Sequence, residues 1–171
     1  MKEKFTVRRS EDGNQVLHQL NNQLFCNVEA LSADKSVEDY ESGTTFLMSV
    51  ATAMTVTLPK CQKGLQYTFV WTAIPTADSH IINADSTNDT LLGAVAMIDE
   101  DTTVVATNAG ATTAFAHPAL ADHQVVIDAA TTNTTKGGEI GSWLRYTGIS
   151  ETQWLIEGCL LINGTVATPF T

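Results

Sequence analysis

From Val37 onward apolar residues recur at every second position, and that period decides the fold class. In FLMSV, Phe46, Met48 and Val50 share a face; in MTVTL, Met54, Val56 and Leu58 point one way and Thr55 and Thr57 the other. Successive side chains alternate across a strand, so the pattern specifies strands with one buried face. Pro59 stops the second run, because proline cannot donate to a central ladder, and Gly64 supplies a permissive backbone for the turn that follows. In LQYTFVW, Tyr67, Phe69 and Trp71 lie on one face and Val70 on the other. The stretch TVTLPKCQKGLQYTFVW thus reads as a strand–turn–strand unit whose large side chains serve packing, with cross-strand pairs contributing about 0.2–1 kcal/mol each.

Further short runs follow: SHIINA (Ser79–Ala84), LLGAVAMI (Leu91–Ile98), TTVVAT (Thr102–Thr107), HQVVIDA (His123–Ala129), GSWLRYTG (Gly141–Gly148) and TQWLIEGCLLING (Thr152–Gly164). Turn clusters DSTND, TNAGATT and TTNTTKGG separate them. DYESG reads as a turn into the first strand, and TTAFAHPALADHQ (Thr112–Gln124) as a long loop that His117-Pro118 biases away from helix. The last two strands form a hairpin through GISET, across which Trp143 and Trp154 are placed to pack. Many short strands at this spacing predict a mainly β fold, an antiparallel β-sandwich or jelly-roll-like barrel.

The first 36 residues differ. In NQVLHQLNNQLFCNVEAL (Asn14–Leu31), Leu17, Leu20, Leu24, Val28 and Leu31 recur every three or four residues, which predicts one short amphipathic helix with an apolar stripe. A lone helix of this length is marginal in water, so its stripe is expected to pack on the body or on a neighbouring subunit. Ahead of it, MKEKFTVRR carries Lys2, Lys4, Arg8 and Arg9 against the single acid Glu3. The chain as a whole has nine basic and 19 acidic residues and a net charge of −10. A basic arm on an acidic body suits docking onto an acidic surface, although a solvated terminus accounts for the same charges. The expected division is an arm and helix over residues 1–36 and a β domain over residues 37–171.

That charge balance argues against nucleic acid, whose phosphates need lysine and arginine. No run reaches transmembrane length and MKEKFTVRRSEDGN holds no signal-peptide core, so a soluble chain made in a reducing cytoplasm is expected, with no membrane partner. At 171 residues it is long enough to bury a real core. Cys26, Cys61 and Cys159 are odd in number and lack C-x-x-C spacing, which points to neither a disulfide framework nor a zinc site.

Catalytic motifs are absent: no G-x-S-x-G, Walker loop, H-E-x-x-H or EF-hand pattern occurs. His117 and His123, with Asp122 and Asp128 nearby, form a weak candidate metal set beside an ordinary polar loop. Asp99, Glu100 and Asp101 in IDEDTT cannot all converge on calcium if they alternate along a strand. Glu139 and Glu157 raise a glycosidase-like carboxylate pair, but nothing in the sequence sets their separation. Trp71, Trp143 and Trp154 are candidates for a sugar-stacking platform, with core packing the commoner role of such residues in alternating strands. Neither an enzyme, a cofactor nor a metal is expected.

The ordered set ESGTTFLMSVATAMTVTLPKCQKGLQYTFVWTA, IINADSTNDTLLG and GSWLRYTGISETQWLIEG resembles small virion proteins of tailed bacteriophages, of the capsid decoration (cement) or head accessory type. The resemblance rests on Ser42-Gly43, Leu58-Pro59, Gly64 and Trp154 and spans Val37–Gly164; the leader and an enlarged loop over residues 109–124 depart from it. It implies a structural protein on the outer capsid surface of a virion, bound to the major capsid protein, in many copies and as a homo-oligomer, a trimer being the guess. Lys2, Lys4, Arg8 and Arg9 are then the expected capsid-docking residues. Leu17, Leu20, Leu24, Val28 and Leu31 are the expected subunit or capsid contact. Two rivals remain: a tail-fibre or adhesin module that binds a host surface glycan, and a cellular carbohydrate-binding module.

Overall fold

The structure, a computed structural model, describes residues 27–76, 79–84, 88–99, 113–128, 134–164 and 166–171. Within them the chain is mainly β. Its strands are β1 (Val28–Leu31), β2 (Lys35–Ser36), β3 (Thr45–Met48), β4 (Met54–Thr57), β5 (Gln66–Trp71), β6 (Ser79–Asn83), β7 (Thr90–Asp99), β8 (Thr113–Ala116), β9 (Gln124–Asp128), β10 (Trp143–Gly148) and β11 (Gln153–Ile162). A seven-stranded sheet has the order β1-β3-β5-β10-β11-β7-β8, and a four-stranded sheet the order β2-β4-β6-β9.

Up to β7 the chain alternates between these sheets, one strand in each. Strands β1, β3 and β5 therefore pair in parallel in the larger sheet, and β2, β4 and β6 in the smaller. The unit TVTLPKCQKGLQYTFVW is a passage from one sheet to the other, with β4 and β5 in different sheets. Parallel neighbours need a crossover, and here the crossover is itself a strand of the opposite sheet. Among the described strands, antiparallel pairing joins β5–β10, β10–β11, β7–β8 and β6–β9, while β11 pairs with β7 in parallel. The sheets are thus mixed, which corrects the expectation of purely antiparallel pairing.

Both sheets contribute to one apolar cluster. Tyr67, Phe69 and Trp71 are completely buried, as are Phe46, Met48, Tyr146, Trp154 and Ile156 from the larger sheet and Val56, Val125 and Ile127 from the smaller. Phe46 and Phe69 are register partners and stack at 5.4 Å between centroids. Tyr146 meets Phe69 edge-on at 5.7 Å, and Trp154 lies 5.9 Å from Tyr67. Burying each such side chain contributes about 1.5–3 kcal/mol, and offset or edge-on ring pairs add about 0.5–1.5 kcal/mol.

Two glycines permit the close approaches of this frame. Gly64 takes φ +96° at the end of the crossover and donates its N–H to the Gly148 carbonyl at 2.8 Å. A Cβ at Gly148 would collide with the Gln62 carbonyl, so the crossover lies directly against β10.

Four local readings are corrected. Val28–Leu31, the expected end of a helix, is strand β1, in parallel register with Thr45–Met48. Thr113–Ala116, read as loop, is β8, because its backbone completes a ladder with Val95–Ile98. DYESG holds a 3₁₀ turn at Asp39–Glu41, but it leads into the third strand. Trp143 does not pack across the hairpin on Trp154: it faces Cys159 across the ladder, far from the turn, and is 37% exposed whereas Trp154 is buried.

Candidate docking surfaces

The expected docking arm, Lys2, Lys4, Arg8 and Arg9, lies outside the described residues, as do Leu17, Leu20 and Leu24 of the stripe. The stripe's last two members are described, and they part company. Val28 is 57% exposed and Leu31 is 3% exposed, because three residues apart on a strand means opposite faces. Leu31 belongs to the core, so it is not a contact for another subunit. Asn27, the first described residue, lies at the rim of the larger sheet, where its carbonyl accepts from the Thr45 N–H at 2.8 Å.

Next to that entry sits a charged cluster. Lys35 Nζ of β2 reaches Glu41 at 2.7 Å and Glu29 of β1 at 3.2 Å, and lies 5.8 Å from the centre of the Phe46 ring. The hydrogen bond that Lys35 donates to Glu41 raises the Lys35 pKa, with burial opposing. Burial pushes the Glu41 carboxyl up, but hydrogen bonds from Lys35 and from the Glu38 backbone hold it below its ordinary value. One lysine thereby joins the first strand of each sheet to the 3₁₀ turn.

The outward face of the larger sheet carries a belt that sequence reading missed. Register partners run straight across all seven strands: Ala30, Leu47 and Val70 on β1, β3 and β5, then Trp143 and Cys159, then Ala96 and Phe115. Each is apolar or weakly polar, and Phe115 is 75% exposed. Two residues along the strands, Arg145 and Glu157 face each other and form an ion pair at 2.6 Å. They are the only described charged residues among the outward-facing strand positions of this sheet. Alternation within each strand was legible; the row across strands depends on register, which the sequence does not display.

Other candidate groups are engaged structurally. His80, completely buried, accepts the Trp71 indole N–H at Nδ1 (3.1 Å), so Nε2 carries the proton it donates to the Thr52 carbonyl at 3.0 Å. Burial lowers its pKa against hydrogen bonds to the Thr52 and Val50 backbone. Asp89, almost fully buried, accepts the Cys61 backbone N–H at 2.8 Å. The Cys61 thiol donates toward the Ser150 and Gln153 carbonyls, and burial together with the Asp89 charge pushes it up to about 11.

Asp122 accepts from the Ala119 N–H, while the ring nitrogens of His117 and His123 contact backbone carbonyls one and two residues away. Among the described residues no group of three or more metal-ligating side chains converges. Glu139 accepts the Thr134 hydroxyl at 2.7 Å and Glu157 pairs with Arg145, so each carboxylate has its own partner. Of the three tryptophans only Trp143 reaches the surface, which removes the three-ring sugar platform.

No known protein family, curated protein or solved structure matches the chain. Among the described residues no helix is long and apolar enough to cross a membrane.

Proposed function

We propose that the two sheets form a β-sandwich and that the protein is a bacteriophage capsid decoration subunit, which binds the outer capsid surface and stabilises it. The observation that carries this reading is the position of Asn27, the first described residue, beside the rim strand β1: the 26 residues before it, with four of the nine basic residues, connect at an edge of the larger sheet, from which a basic arm would reach a neighbouring acidic surface. The body supplies a rigid mount, since Phe46, Tyr67, Phe69, Trp71, Tyr146 and Trp154 are spent on the interior.

The residues behind the resemblance to decoration proteins also do architectural work. The Ser42 hydroxyl accepts the Gln66 N–H at 3.0 Å and Gly43 donates to the Gln66 carbonyl at 2.7 Å, fastening β3 to β5. Leu58 and Trp154 are buried in the core, and Gly64 supplies the left-handed turn of the crossover. Many such subunits on one closed lattice would act at high effective concentration, so weak individual contacts suffice.

Deletion of residues 1–12 tests the reading. A folded body that no longer coats capsids is the expected result; full occupancy by the truncated chain contradicts it. A glycan-binding tail or adhesin module is the alternative, and retention on a glycan array through Trp143 would favour it.

A further inference from the structure

We propose that the outward face of the seven-stranded sheet is a self-association surface and that its occupant is the same face of a second copy. Copies of a chain with net charge −10 repel, and the approach that costs least is through a face whose charges cancel. On this face the described outward-pointing charges are Arg145 and Glu157, one of each sign, on adjacent strands in direct register.

Their placement is also self-complementary. A two-fold contact pairs residue i of one copy with j of the other and j with i. An axis running along the strands between β10 and β11 exchanges those two strands. Arg145 then meets Glu157 of the second copy, and Trp143 meets Cys159 of the second copy. The same axis keeps the two sheets' strands nearly aligned, the common geometry for sheets packed face to face. It also lays the apolar belt on itself from Leu47 to Phe115, so that Leu47 meets Phe115 and Val70 meets Ala96 of the second copy, with β1 overhanging.

The six strands that overlap span five spacings of about 4.8 Å, roughly 24 Å, and five or six residues of strand add roughly 17–20 Å. Two such faces bury on the order of 800–1,000 Å², the size of a weak, reversible contact. Trp143, half-exposed at the centre of the belt, has the character and position of a hot spot.

Sedimentation equilibrium of the full chain from about 1 to 100 μM, under reducing conditions, tests this. The expected result is a monomer–dimer equilibrium that Trp143→Glu weakens about 30-fold or more, as loss of a central anchor does. Leu47→Glu should act in the same direction. Leu120→Glu, at an exposed position outside the sheet's strands, should leave the constant unchanged. Both belt positions face outward, and circular dichroism of each variant checks that the body remains folded. A wild-type chain that stays monomeric overturns the proposal, and so does a trimer or a dimer indifferent to both belt variants. Because the readout is on the purified chain, it is separable from capsid occupancy, which tests the decoration reading.

Discussion

The indole N–H of Trp71 donates to Nδ1 of His80 at 3.1 Å, and this bond links the seven-stranded sheet to the four-stranded one inside the core. It fixes one neutral tautomer: Nδ1 must accept, so Nε2 must donate to Thr52. Burial lowers the His80 pKa below its unfolded value of about 6.5. Above pH 6.5 the ring is neutral in both states and its contribution is complete. As pH falls below that value, the unfolded chain takes up a proton that the folded chain refuses, and stability is lost progressively. Urea unfolding at pH 7.5 and 5.0 should show this loss. His80→Leu should cost about 1–3 kcal/mol at pH 7.5 by stranding the Trp71 N–H and the Thr52 carbonyl, and should reduce the pH dependence. An unchanged pH profile in His80→Leu contradicts the assignment.

Two buried tyrosines should respond oppositely to loss of the hydroxyl. Tyr67 OH donates to the Glu38 carbonyl at 3.1 Å, whereas Tyr146 OH is buried with no partner among the described residues. Tyr67→Phe should therefore destabilise by about 0.5–1.5 kcal/mol. Tyr146→Phe should be neutral or stabilising by up to about 1 kcal/mol, since it removes an unsatisfied polar atom and keeps the ring on Phe69 and Trp154. Paired denaturant titrations give the comparison directly, and an equal loss in both variants contradicts it.

Two ion pairs of similar length differ in burial and should differ in worth. In the Lys35–Glu41 pair the side chains are 24% and 11% exposed; in the Arg145–Glu157 pair they are 41% and 44% exposed. Exposed pairs contribute about 0–1 kcal/mol. In the monomer, Arg145→Ala should fall within that range. Lys35→Ala should cost more, about 1–2 kcal/mol, because it leaves the part-buried Glu41 carboxylate without its lysine and removes the cation above Phe46. Unfolding of both variants at micromolar concentration and moderate salt ranks them.

Leu31 and Val28 distinguish a strand from a helix in the leader's last residues. On a helix, positions three apart share a face, and Asp at either should do similar damage. On β1 they point to opposite sides, with Leu31 buried and Val28 exposed. Leu31→Asp should therefore destabilise by more than about 3 kcal/mol, and Val28→Asp should stay within about 0.5 kcal/mol. Thermal melts of the two variants read this out.

The strands were legible because their period is local. Tyr67, Phe69 and Trp71 alternate in sequence and are all buried, as alternation requires. Their neighbours were not legible. That Phe46 stacks on Phe69 depends on the chain crossing through β4 and returning in register, and no local pattern encodes that path. Val28 and Leu31 fitted a helical spacing because spacings of three and four also occur by chance beside a strand; pairing with Thr45–Met48 decided the outcome. TAFA was too short to stand out from its loop. The outward belt escaped notice for the same reason as the stacking: each of its residues is ordinary in its own strand, and the row exists only across strands. The arm's charges were plain in the sequence, and Lys2, Lys4, Arg8 and Arg9 lie outside the described residues.

The central claim is that this body is a mount carried on a virus particle. Electron microscopy of the native particle, with density for a two-sheet domain located, tests it most directly. The account predicts that density in many symmetry-related copies on the outer capsid surface, with the β1 rim turned toward the major capsid protein. Density at the tail tip alone, or a purified virion that lacks the chain altogether, would contradict it.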